Sequence, residues 1–195
     1  GTTAVIGSAG NGPVSIDLAA DGPHALIAGT TGAGKSELLR TWIASLALHN
    51  RPDELNLLLI DYKGGSAFAE CAELPHVVGL VTDLDAALTS RVLSSLHAEL
   101  QRRERQLAAV GAGDFGELSE LAPDAGLARL LVVLAAFAAL TTELPELATG
   151  LVDFARRGRS LGVHLVLAPH RPPGVVPAET RANAPPLTRP RAPAP

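Results

Sequence analysis

Residues Gly29–Ser36 read Gly-Thr-Thr-Gly-Ala-Gly-Lys-Ser and follow directly on the apolar run Ala25–Ala28. The spacing G-x-x-x-x-G-K-[ST] is that of a loop that wraps phosphate groups. Each residue type has a task in such chemistry. Gly29, Gly32 and Gly34 let the backbone turn tightly and aim N–H groups inward. Lys35 reaches terminal phosphate oxygens, the Ser36 hydroxyl is a ligand for Mg²⁺, and the intervening Thr30, Thr31 and Ala33 contribute backbone. A helix starting near Lys35 adds the positive end of its dipole. All four fixed positions of the motif are present, which makes this the most specific chemical statement in the chain. Its expected ligands are the phosphates of a nucleotide and Mg²⁺.

A phosphate loop that hydrolyses its nucleotide also needs acidic residues at the end of another buried strand. Two segments compete for that role. Leu57–Ile60 is an apolar run that ends in Asp61, so Asp61 qualifies on pattern as the magnesium aspartate. Leu131–Leu134 is equally apolar but ends in Ala135-Ala136-Phe137, with no acid. The pattern alone does not choose between them.

The elements that must position these residues follow from periodicity. Short, mainly apolar segments at Ala25–Ala28, Leu55–Ile60, Val77–Val81, Leu130–Leu134 and Val163–Ala168 read as strands, Leu55–Ile60 being of the kind buried on both faces of a parallel sheet. Between them lie segments of helical spacing: Glu37–Leu48, Ser90–Val110 and Pro145–Arg157, with a short helix allowed inside the loop-like stretch Gly111–Gly126. Strands alternating with helices indicate an α/β domain with a mainly parallel sheet. Residues 1–22 read as a strand or hairpin ahead of the core, with Val14, Ile16 and Leu18 on one face. The domain proper is expected over residues 23–170. Residues 171–195 hold eight prolines, four arginines and a single acid, the composition of an extended tail without a core.

Composition restricts the function classes. With 47% apolar and 18% charged residues, the chain can bury a core, and 3% aromatics leave that core to Leu, Val and Ala. A net charge of −4 advertises no broad basic face for nucleic acid. A lone Cys71 makes no internal disulfide and suits a reducing cytosol. The longest uncharged apolar stretch, Leu130–Leu140, is too short to cross a bilayer, so direct membrane insertion is not expected.

From about residue 20 to residue 183 the chain resembles the FtsK/SpoIIIE family of P-loop ATPases, and looks closest to the multi-domain ATPases of type VII secretion systems. The resemblance is carried by Gly29–Ser36, Asp61–Gly65 with Phe68, Leu74-Pro75-His76-Val77, Val81–Asp85 and Gly158–Leu165. It continues through Arg171-Pro172, Gly174-Val175-Val176 and Arg181-Ala182-Asn183. It implies a three-layer, RecA-like P-loop NTPase fold. It also implies that the acidic strand is the later one, followed in the family by Asp-Glu-Phe. Phe137 is kept, but Ala135 stands at the Asp position and Ala136 at the Glu position. By that pattern Asp61 is not the primary metal aspartate, a direct role with Mg²⁺ or its waters is the lesser reading, and Mg²⁺ binding is weakened. At the end of the last strand, where the family usually reads Ala-Thr-Gln-Arg-Pro, this chain has Ala168-Pro169-His170-Arg171-Pro172. Damage at several separate places fits drift away from catalysis.

The resemblance further implies partners: homologous ATPase domains in a ring or multi-domain assembly, and DNA or a secreted protein as cargo. It implies a cytoplasmic location, with any link to a membrane complex made through other segments or partners. Arg156, Arg157 and Arg159 form a basic cluster of the kind that serves a neighbour's nucleotide in ring ATPases, or simply caps a helix end. Three functional readings follow: an ATP-binding domain with crippled hydrolysis, a working motor using a substitute acid such as Asp61, and a remnant that keeps only an interaction surface.

Overall fold

The computed structural model describes residues 1–30, 32–62 and 66–168. Five strands form one wholly parallel sheet: β3 (His24–Leu26), β4 (Leu55–Asp61), β5 (Val77–Thr82), β6 (Arg129–Ala135) and β7 (Val163–Ala168). Their order across the sheet is β3-β7-β6-β4-β5. Ahead of them, β1 (Thr3–Ala9) and β2 (Gly12–Asp17) pair antiparallel as a separate hairpin.

The alternation of side chains along the strands sorts the core into two halves. Leu57, Leu59, Leu131, Val133 and Val166 face the helix α1 (Lys35–His49), where Leu39, Trp42, Ile43 and Leu46 meet them. Ile60, Leu130, Val132, Leu134, Leu165 and Leu167 face the other way. There they pack against α2 (Ala86–Val110), α3 (Phe115–Leu121), α4 (Phe137–Glu143) and α5 (Pro145–Gly158). Helices on both faces of a parallel sheet make the expected three-layer α/β sandwich.

The hairpin extends the α1 layer. Ala4, Ile16 and Leu18 join the α1 core, and the Ser45 hydroxyl accepts the Val5 N–H at 2.8 Å. Val14, expected beside Ile16 on the inner face, is instead 41% exposed. The hairpin register slips between Val5 and Gly7, opposite the Val14–Ser15 step, which breaks the simple alternation there.

Two helices differ from the sequence reading. The second long helix starts at Ala86, four positions before Ser90, because the Asp85 carboxylate accepts the Leu88 N–H at 2.7 Å and caps it. Helix α4, between β6 and α5, has no counterpart in that reading; it is a single short element with no side-chain cap. The short helix inside Gly111–Gly126 is α3, capped by Asp114. At Gly162 both constraints on glycine apply: φ is +70°, and a Cβ there would lie 2.3 Å from the Phe115 ring.

Candidate nucleotide site

Because all five strands run the same way, the carboxyl ends of β3, β4 and β6 share one edge of the sheet. Parallel α/β sheets bind ligands along that edge. It brings together the three segments singled out in the sequence: the loop after β3, Asp61 at the end of β4, and Ala135-Ala136 at the end of β6.

The loop is built by its glycines. Gly32 and Gly34 have φ of +78° and +79°, a conformation other residues resist. Gly29 is closed in differently: a Cβ there would meet the Ala33 Cβ at 3.3 Å and the Lys35 Cγ at 3.5 Å. The Ala33 N–H donates to the Thr30 carbonyl at 3.2 Å and tightens the turn. Helix α1 begins at Lys35 with Gly34 as its N-cap and no side-chain cap. Among the described residues its first N–H groups therefore have no intrahelical or capping partner, which is the arrangement that suits an anion. The Lys35 ammonium donates to the Gly29 and Thr30 carbonyls at 2.8 and 2.7 Å, and burial pulls its pKa below the ordinary lysine value. This donor set of glycine-loop backbone, a helix N-terminus and an ammonium fits phosphate groups. Ser36 stands in the first turn of α1. Thr31 lies outside the described residues.

The opposite wall is apolar. Ala135 and Ala136 are both buried, and Ala136 adopts φ 62°, ψ 32° as the N-cap of α4. A left-handed alanine costs about 1–2 kcal/mol against the right-handed form, and its methyl group makes no hydrogen bond in return. Neighbouring strands lie about 4.8 Å apart. With β7 in between, the end of β6 is two strand spacings from β3, roughly 10 Å, and the end of β4 is three, roughly 14 Å. Asp61 is thus the more distant of the two candidates. It is the register partner of Ala135 and is 3% exposed, and one of its oxygens accepts the Ala67 N–H at 2.9 Å.

Two further features of the sheet were not read from the sequence. The Tyr62 hydroxyl donates to the Glu143 carboxylate at 2.5 Å and ties the end of β4 to the end of α4. That bond, with burial, raises the Tyr62 pKa. No local pattern announces a contact across 81 residues. At the other edge, beneath the strand that feeds the loop, His24 and His164 are buried together. His24 Nδ1 accepts the Leu165 N–H at 3.1 Å, and His164 Nδ1 bonds the Pro23 carbonyl at 2.9 Å. Burial pulls both down to about pKa 4.

The basic cluster near the end of α5 sits at the amino-terminal side of β7, away from the loop. Arg156 pairs with Asp153 at 2.5 Å and Arg157 with Glu104 at 2.9 Å. Cys71 is buried. Pro169, His170 and the proline-rich segment lie outside the described residues. Among the described residues no helix is long and apolar enough to cross a membrane.

A glycine loop running from a parallel strand into an uncapped helix defines the class, a P-loop nucleotide-binding domain of RecA-like architecture. The sequence pattern of the FtsK/SpoIIIE family matches residues 2–174, and the chain belongs to that family. It is 41% identical over 171 residues to the ESX secretion system protein EccC of Geobacillus thermodenitrificans, covering 85% of this chain and 12% of that protein. It is also 41% identical over 170 residues to the type VII secretion system protein EssC of Staphylococcus aureus, covering 85% of this chain and 11% of that one. The chain therefore spans only a small part of the relatives it matches. Among solved structures, the cytoplasmic domain of the type VII secretion ATPase EccC of Thermomonospora curvata superposes with a TM-score of 0.79 at 37% identity. That match covers 87% of this chain and 21% of the other. A second structure, ATPases 2 and 3 of the same EccC in complex with a signal sequence peptide, superposes at 0.76 with 29% identity. It covers 87% of this chain and 32% of the other.

Proposed function

We propose that this domain binds ATP at Gly29–Ser36 without turning it over, and serves as a regulatory or structural ATPase-fold element within a type VII secretion assembly. The observation that carries the reading is the pair Ala135-Ala136 at the end of β6, where the family resemblance expects Asp and Glu. Lys35, the loop backbone and the α1 amides bind phosphates, and Ser36 holds the ion. An ion held there would neutralise phosphate charge. A methyl group at 136 takes no proton from water, and loss of a positioned base typically lowers a rate by on the order of 10²–10⁴. A methyl group at 135 orients no metal-bound water, so the ion is held more weakly.

The partners that fit are other ATPase domains of the same assembly, in a ring or in tandem, on the cytoplasmic side of a membrane complex. A secreted polypeptide is the better-supported cargo, because the relatives named above are secretion proteins and one is solved with a signal sequence peptide. The experiment is a titration with labelled ATP followed by phosphate release. Saturable binding without release is expected. Turnover would instead make the domain a working motor, and absence of binding would make it an interaction remnant.

A further inference from the structure

We propose that β5 is an interaction edge, on which a second copy of this chain pairs its own β5 in antiparallel register about a two-fold axis at Leu80. The inference does not depend on the nucleotide reading of the loop.

The first observation is an open edge. In the order β3-β7-β6-β4-β5 the outermost strands are β3 and β5. The residues of β3 are all buried, whereas Val78 and Leu80 of β5 are 60% and 38% exposed. Among the described residues β5 pairs with β4 alone, so its far side presents a row of unpaired backbone donors and acceptors. Such a row is a template for one more strand. Edges are ordinarily blunted by lysine, proline or inward-pointing charge, and Val77–Thr82 contains none of these. It does carry a bulge: Leu57 pairs with Val77 and Leu58 with Gly79, so Val78 is the extra residue. Gly79–Thr82 then continues in regular register.

The second is an apolar surface that continues past the strand. His76, just ahead of β5, donates from Nε2 to the Asn50 carbonyl at 2.8 Å and brings the end of α1 to the foot of the strand. Leu48 in that last turn of α1 is 83% exposed. Apolar side chains grouped in this way mark a contact surface.

The third selects the occupant. The edge takes an extended strand that is itself apolar and uncharged, and β5 is one. Self-pairing requires side chains that match when the strand is turned onto itself. With the axis at Leu80, Leu80 meets Leu80 of the second copy, Gly79 meets Val81, and Val78 meets Thr82. Asp83 falls opposite Val77, so no like charges meet across the axis. Leu80 shares the α1 side of the sheet with its register partner Leu59, and the two Leu80 side chains close on that face. The phosphate loop stays open, four strand spacings or roughly 19 Å away. Val78–Thr82 is a short contact, so the pair is weak and reversible.

The test is sedimentation of the purified 195-residue chain across protein concentration. Monomer is expected at about 1 μM and mainly dimer by about 300 μM, the range of a small interface. Leu80→Lys sets two ammonium groups across the axis and should weaken pairing about tenfold or more. Leu80→Glu should do the same. Mixing the two variants should restore a dimer, because lysine then faces glutamate. A chain that stays monomeric overturns the proposal and leaves the edge to a strand of another domain. A dimer indifferent to both substitutions, or variants that fail to pair when mixed, overturns it too. Hydrogen exchange on the unmodified chain covers variants that fail to fold. Exchange of the β5 amides should slow as concentration rises while that of the β1–β2 hairpin stays constant, and unchanged β5 exchange contradicts the pairing.

Discussion

The loop after β3 and the end of β6 lie on the same edge of one sheet, yet they have kept different things. The loop retains every residue type its geometry needs: glycines at positive φ, a lysine drawn inward, and a helix start left without a side-chain cap. The end of β6 retains only the shape. Ala136 still takes the left-handed turn into α4, and Phe137 still packs in the core at 1% exposure, but neither position 135 nor 136 has a group that reacts. Binding needs a shaped backbone and one cation, whereas turnover needs carboxylates at fixed places. The two functions can therefore part within one fold.

The largest expected effect falls on the loop. Lys35→Ala removes the side-chain cation that the loop itself supplies and should weaken ATP binding by about 10²-fold or more, the cost of a charge-assisted bond to phosphate. Isothermal titration checks this. An unchanged affinity would mean that the retained loop is as idle as the end of β6.

Acid should come next, through the ground beneath the loop. His24 and His164 have folded pKa values of about 4 against an ordinary 6.5. The folded state therefore binds fewer protons than the unfolded one between those values. Stability is fully present above pH 6.5 and is lost as the pH falls toward 4. At pH 5 the loss is on the order of 2 kcal/mol for each histidine. Melting at pH 7.5 and pH 5 measures it, with His164→Gln expected to flatten the dependence. Protonated His24 can no longer accept the Leu165 N–H, so the β3–β7 pairing that carries the loop should loosen first. Hydrogen exchange at Leu165 would show whether it does.

The smallest effect should separate inherited shape from lost chemistry. Ala136→Gly relieves the left-handed strain and should raise stability by about 1 kcal/mol with no gain in turnover. Ala136→Glu together with Ala135→Asp should instead bring phosphate release without comparable stabilisation. A stability loss in Ala136→Gly would mean that the turn at 136 is not strained.

The loop and the layered sheet were legible in the sequence because their signals are local. Glycine spacing reports backbone conformation directly, and continuous apolar runs such as Leu57–Ile60 and Leu130–Leu134 report burial on both faces. What stayed illegible depends on distant contacts. Leu57–Asp61 and Leu131–Ala135 are alike as strings, and only the order β3-β7-β6-β4 separates them by distance from the loop. Helix α4 has no cap and only seven residues, too few to show a period. Val14 was misassigned because a register slip in its partner strand is not written in its own neighbourhood. The Tyr62–Glu143 bond and the His24–His164 pair join residues far apart in the chain, and spacing rules do not reach them.

The central claim is that this chain binds ATP and leaves it whole. Its most direct test is phosphate release from ATP and Mg²⁺ by the purified chain, run beside Lys35→Ala. The account predicts saturable ATP binding in the unmodified chain and a release rate indistinguishable from that of Lys35→Ala. Mg²⁺-dependent release that Lys35→Ala abolishes would contradict it.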